Sequence, residues 1–113
     1  MSSRRALLAL LTGLPLGGFA PPAAAEPASA RQAELIHLVR QDCGSCHGMR
    51  LTGGLGLPLT PQALRDKPFE GLVATIYYGR PGTAMPPWRS IITEPEAEWI
   101  TRQLMAGFPE APR

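Results

Sequence analysis

Cys43-Gly44-Ser45-Cys46-His47 occurs once in this chain, and Cys43 and Cys46 are its only cysteines. A Cys-x-x-Cys-His run is the attachment signature of a c-type haem. Each thiol can add across one vinyl group of the porphyrin, and the two-residue spacer sets the sulfurs one helical turn apart. His47 then lies under the iron as the proximal ligand. Two other chemistries use Cys-x-x-Cys. Zinc needs further ligands, and the chain offers only His37, His47 and carboxylates. A redox dithiol expects a strand before the motif and a βαβ setting, and no strand pattern is present.

The flanks of the motif read as short helices and structured loops. Leu35, Ile36, Leu38 and Val39 suit an amphipathic helix running from Arg31 into Cys43. Arg50 to Leu59 is a glycine-rich loop, after which Thr60-Pro61 is an N-cap with proline in the first helical position, opening a helix to about Arg65. A further helix begins at Pro68, carries Phe69, Leu72, Val73, Ile76 and Tyr77 at helical spacing, and stops at Gly79. Thr93-Glu94-Pro95-Glu96 is a capping box for a last helix with Ala97, Trp99, Ile100, Leu104 and Met105, ended by Gly107 and Pro109. Trp99 is expected at the contact between the first and last helices. The fold class is therefore all-α, three or four short helices around one haem.

A second axial ligand decides whether the iron is closed or open to small molecules. Met49 is too close to His47 to reach the other face of the disc, and Met105 falls within the last helix as a core residue. Met85 remains, in the loop Arg80-Pro81-Gly82-Thr83-Ala84-Met85-Pro86-Pro87-Trp88, where prolines leave little conformational freedom to lose. The plainer alternative is that Met85 anchors the loop as an apolar side chain. His37, on the helix before the motif, reads as a surface or half-buried histidine. Tyr77, Trp88, Arg80 and Arg89 lie close enough in sequence to meet a haem propionate, although each alone reads more simply as a packed aromatic or a solvated arginine.

Residues 1–25 have the parts of a secretory signal peptide: Arg4 and Arg5, the apolar run Ala6 to Leu16, and Ala23-Ala24-Ala25. Cleavage there makes 26–113 the mature domain, placed in the periplasm with no stable membrane span. The leader also resembles a twin-arginine signal loosely, and both export routes stay open. Losing Arg4 and Arg5 takes the basic residues from eleven to nine, equal to the nine acidic ones. A neutral domain of this kind does not suit nucleic-acid binding. On neutrality alone, docking to partners should depend little on salt.

The helix into Cys-x-x-Cys-His-Gly, the glycine-rich loop, the methionine loop and the capped last helix resemble the class I monohaem cytochromes c. Such proteins often carry glycine and an aromatic residue eight and four residues before the first cysteine, where this chain has Leu35 and Val39. That departure puts the usual close crossing of first and last helices in doubt. They also often have Gly-Pro-x-Leu, whose proline carbonyl accepts the proximal histidine's Nδ1 proton. Here the run is Gly56-Leu57-Pro58-Leu59, and either Leu57 or Pro58 is placed to supply the carbonyl.

More narrowly, the runs Leu38–Met49, Leu51–Gly56 and Gly79–Trp88 are similar to the small NirC-type cytochromes associated with periplasmic cytochrome cd nitrite reductase. The resemblance implies a non-enzymatic single-electron carrier with haem c on Cys43 and Cys46, iron held by His47 and Met85, and nitrite reductase as partner in denitrification. It equally admits a redox assembly factor for d-type haem. If Met85 does not bind, a ligand-binding sensor or enzyme with an open distal site is the third reading.

Overall fold

The computed structural model describes residues 26–110, with Gly13, Gly17 and Gly18 from the leader. The proposed signal peptide otherwise lies outside the described residues. Five α-helical segments and no strand occur in the described part: α1 Ser29–Leu38, α2 Gly44–His47, α3 Pro61–Leu64, α4 Phe69–Tyr78 and α5 Glu94–Ala106.

A π-helical turn, Val39–Cys43, joins α1 to α2, and the residues at both joins keep right-handed helical dihedrals. One rod therefore runs from Ser29 to His47, carrying the motif within its last turn instead of just beyond its end. The π-turn widens the helix immediately before Cys43, and such insertions often mark functional sites. α1, the π-turn and α2 thus form one body, and α3, α4 and α5 bring the helical bodies to four.

Local signals set the other boundaries. Thr60 Oγ1 accepts a hydrogen bond from Ala63 N–H at 3.3 Å, with Pro61 opening α3. Pro68 precedes α4, and Gly79, at φ 69°, ends it. A Cβ at Gly79 would fall 2.6–2.8 Å from backbone atoms of Met85, Pro86 and Pro87, so only glycine lets the returning loop close on the helix end. At α5 the reciprocal capping box is complete: Thr93 Oγ1 accepts from Glu96 N–H, and the Glu96 carboxylate accepts from Thr93 N–H at 2.8 Å.

α5 is the centre of the packing, with α3 and α4 as its closest helical neighbours. Trp99, Ile100, Ala97, Thr101 and Leu104 on α5 are buried, together with Leu35 and Val39 on the rod, Leu64 on α3 and Val73 on α4. The first rod reaches α5 through side chains more than through close backbone approach. Arg31 bonds Glu96 (Nε to Oε1, 2.6 Å), and the buried Trp99 indole N–H donates to Glu26 at 2.8 Å, just before α1. Large Leu35 and Val39, both fully buried, fill the space where small residues would allow a tighter crossing.

Candidate haem site

The motif residues lie on one helical turn at the boundary between core and solvent: Cys43 half-buried, Cys46 exposed and His47 half-buried. Neither thiol is in a disulfide. Burial, reinforced by the neighbouring Asp42 carboxylate, pushes the Cys43 thiol up to about 11. A thiol held protonated at neutral pH is a poor redox nucleophile, which counts against the dithiol reading. Zinc fares no better, because no group of three or more His, Cys, Asp and Glu side chains is placed to share a metal ion among the described residues.

The glycine-rich loop folds back over the end of α2 and caps it. Gly56 N–H donates to the Cys46 carbonyl at 2.7 Å, and Gly53 N–H donates to the His47 carbonyl at 2.8 Å. These bonds satisfy carbonyls that a helix end leaves without partners. Leu51 N–H bonds the Gly48 carbonyl, and Leu59 N–H returns to the Leu51 carbonyl. Leu51 itself is buried and takes φ 60°, a left-handed conformation costly for leucine. Its side chain in the core offsets that strain.

This loop fixes the imidazole. His47 Nδ1 lies 2.8 Å from the Leu57 carbonyl, so Nδ1 carries the proton and donates it there. Of the two carbonyls considered, Leu57 is the partner. Nε2 is then left with its lone pair available for a metal, and the hydrogen bond raises its donor strength. Gly56 seats the ring from the side: a Cβ on it would fall 2.6 Å from Nδ1 and 2.7 Å from Cε1.

Met85 stands half-buried on the loop after α4, apart from the motif in the chain. Arg80-Pro81-Gly82-Thr83 makes a turn in which Gly82 has φ 77° and Thr83 N–H donates to the Arg80 carbonyl. Arg80 N–H then donates to the Met85 carbonyl at 3.1 Å, while Met85 N–H donates to Thr83 Oγ1 at 3.3 Å. Beyond it, Trp88 and Arg89 N–H groups bond the Ile76 and Tyr77 carbonyls at the end of α4. The backbone that presents Met85 is held at both ends. His37 is exposed, and Met105 packs against the core.

Two free thiols on one turn and a histidine with its tautomer set and Nε2 free form a donor set that fits a covalently attached haem. Two residues that support this region carry no motif of their own: Leu51 and Gly56. Of these, only Gly56 left a signal in the sequence, as part of the glycine run.

A family profile described as cytochrome C oxidase, cbb3-type, subunit III matches residues 20–102. Cytochrome c55X of Pseudomonas aeruginosa is 55% identical over 100 residues, covering 88% of this chain and 82% of the relative. Cytochrome c55X of Paracoccus denitrificans is 52% identical over 99 residues, covering 88% and 89%. Among solved structures, the c-type cytochrome NirC is similar with a TM-score of 0.71 and 58% identity, over 72% of this chain and 95% of that one. The dihydro-heme d1 dehydrogenase NirN, in complex with DHE, has a TM-score of 0.59 and 30% identity, over 68% of this chain and 17% of that one.

Proposed function

Because the chain belongs to the cytochrome c55X and NirC-type family of c-type cytochromes, we propose that it is a periplasmic single-electron carrier for cytochrome cd nitrite reductase, with one haem c on Cys43 and Cys46 and iron ligands His47 and Met85. The observation that carries this reading is the Nδ1 hydrogen bond from His47 to Leu57, which leaves one strong nitrogen donor beside two unbridged thiols. When bound, haem supplies an iron that gains or loses one electron.

The chain's own residues determine how that iron behaves. Leu57 fixes the tautomer of His47 and makes its Nε2 a stronger donor. The hydrogen-bonded Arg80–Thr83 turn holds the Met85 backbone with little ordering left to lose, and a methionine ligand there would raise the potential and exclude other ligands. Backbone hydrogen bonds pin both the loop that carries Leu57 and the loop that carries Met85, so His47 and Met85 would be held in place for a bound haem. No helix among the described residues is long and apolar enough to cross a membrane.

The test is optical. Oxidised protein should show the weak near-infrared sulfur-to-iron band, and Met85→Ala should abolish it while letting the reduced protein bind carbon monoxide. A wild-type protein that binds carbon monoxide readily would replace the carrier with the open-site sensor or enzyme.

A second reading has its own support. A dehydrogenase of dihydro-haem d1 contains a stretch similar to this chain. Such a dehydrogenation releases two electrons and two protons, and a one-electron carrier would take the electrons in two successive turns. Deleting the gene separates the readings: reductase made complete but starved of electrons supports the donor role, whereas reductase made without its d-type haem supports the assembly role.

A further inference from the structure

The formal neutrality of residues 26–113 conceals a separation of charge. The five ion pairs among the described residues all join groups within 26–40 and 96–110, on the α1 and α5 side. Arg50, Arg65, Lys67, Arg80 and Arg89 are the basic residues between the motif and α5, and none of them is in those pairs. Only Asp66 and Glu70 stand against them, so residues 48–93 carry a net charge of +3. The rest of the mature chain, 26–47 and 94–113, carries −3.

Residues 71–93 are the extreme case, with two arginines, the Met85 loop and no carboxylate. Backbone bonds set both arginines at the C-terminal end of α4: Arg80 N–H to the Met85 carbonyl, and Arg89 N–H to the Tyr77 carbonyl. The negative end of the helix favours cations there. Both side chains are exposed, without a hydrogen-bond or ion-pair partner among the described residues. Arg31 and Arg40, by contrast, are tied to carboxylates and carbonyls. Tyr78, about half exposed at 54%, lines one shallow pocket with Arg80, Met85 and the exposed Pro86 and Pro87. An apolar surface flanked by uncommitted guanidinium groups is complementary to a surface bearing carboxylates.

We infer that the surface around the Met85 loop, where Tyr78, Arg80, Met85, Pro86 and Pro87 line one shallow pocket and Arg89 follows two residues later in the chain, is the docking surface for an acidic redox protein, one that carries carboxylates around its electron-entry site. This rests on the carrier reading. It also reverses the salt-insensitive docking expected from neutrality, because a partner senses the local field and not the sum of charges.

The test compares two small oxidants of opposite charge, hexacyanoferrate(III) and tris(phenanthroline)cobalt(III), reacting with the reduced holoprotein by stopped flow. The anionic complex should react faster at low salt, with a rate that falls as salt is added, while the cationic complex should show the reverse. Arg80→Gln with Arg89→Gln should slow the anionic reaction about five- to tenfold at low ionic strength, with the difference largely lost at high salt. The visible spectrum should not change, and the small fall in potential from the lost positive charge should act on both oxidants alike. A large shift in potential with unchanged preference between the oxidants would assign the arginines to the haem and overturn the docking face. So would sedimentation of the protein with phosphatidylglycerol vesicles, which would assign the patch to a lipid surface. A protein that cycles normally but reacts with both oxidants with the same salt dependence keeps the carrier reading and loses this face; one that does not cycle loses the carrier reading itself.

Discussion

Around His47 the chain is held by its own backbone, whereas along the seam between the first rod and α5 it is held by side chains. Near the motif the partners are N–H and C=O groups of Cys46, His47, Gly53, Gly56 and Leu57, and close approach is secured by leaving side chains out. Along the seam, Trp99 meets Glu26, Arg31 meets Glu96, and Arg40 reaches the carbonyls after α5. The difference separates two tasks. Backbone bonds fix an imidazole within a few tenths of an ångström, and side-chain contacts supply the stability that lets so small a core hold such a loop.

If that division holds, a seam substitution should cost stability and leave the iron alone. Trp99→Ala removes the largest buried side chain and leaves a cavity, so denaturant unfolding of the holoprotein should show a loss of about 3–5 kcal/mol. The near-infrared band and reduction potential of the fraction still folded should be those of the wild type. A changed axial spectrum well below the unfolding transition would break the comparison. Gly56→Ala is the converse test. Its new Cβ would press on the His47 ring, and the overpacking should cost about 2–3 kcal/mol. Here the spectrum and potential should move even where the protein is fully folded.

The sequence made the two regions legible to different depths. Caps at Thr60 and Thr93 and stops at Gly79 and Gly107 were readable because capping is local chemistry within four residues. That Cys43, Cys46 and His47 would share one helical turn was readable for the same reason. What escaped was contact across long separations. The choice of Leu57 over Pro58 depends on where the whole loop folds back, and the seating of His47 by Gly56 depends on a contact that no periodicity encodes. Arg40 reads as a solvated charge in a helix, yet it is buried by a tail almost seventy residues away. The π-turn has no sequence signature that hydrophobic spacing would register.

Arg40 sharpens the comparison, since it sits in the π-turn three residues before Cys43 but belongs to the seam. Its guanidinium donates to the Phe108 carbonyl at 2.9 Å and to the Pro109 carbonyl at 2.9 and 3.2 Å, and stacks over the Phe108 ring. Arg40→Ala should cost about 2 kcal/mol by removing charge-assisted bonds, and amide exchange should accelerate at the end of α5. If the proximal side were instead disturbed, the π-turn would be transmitting the loss to Cys43.

The smallest effect is expected at Glu96, where the seam meets a helix cap, and it carries a signature in pH. The Arg31 guanidinium, bonded to both carboxylate oxygens, holds the Glu96 carboxyl below its ordinary 4.5, helped by the backbone and hydroxyl of Thr93. A carboxyl whose folded pKa is depressed binds more protons when unfolded. Its stabilisation is therefore complete above the unfolded value and is lost as pH falls through the folded one. Glu96→Gln should be less stable than the wild type by about 1 kcal/mol at neutral pH, a modest figure because Arg31 is about one-third exposed at 34%. Stability curves of the two proteins should converge as pH drops below about 4.5, with the wild type falling more steeply. Parallel curves across that window would mean that the cap hydrogen bond alone, and not the ion pair, joins Glu96 to the first rod.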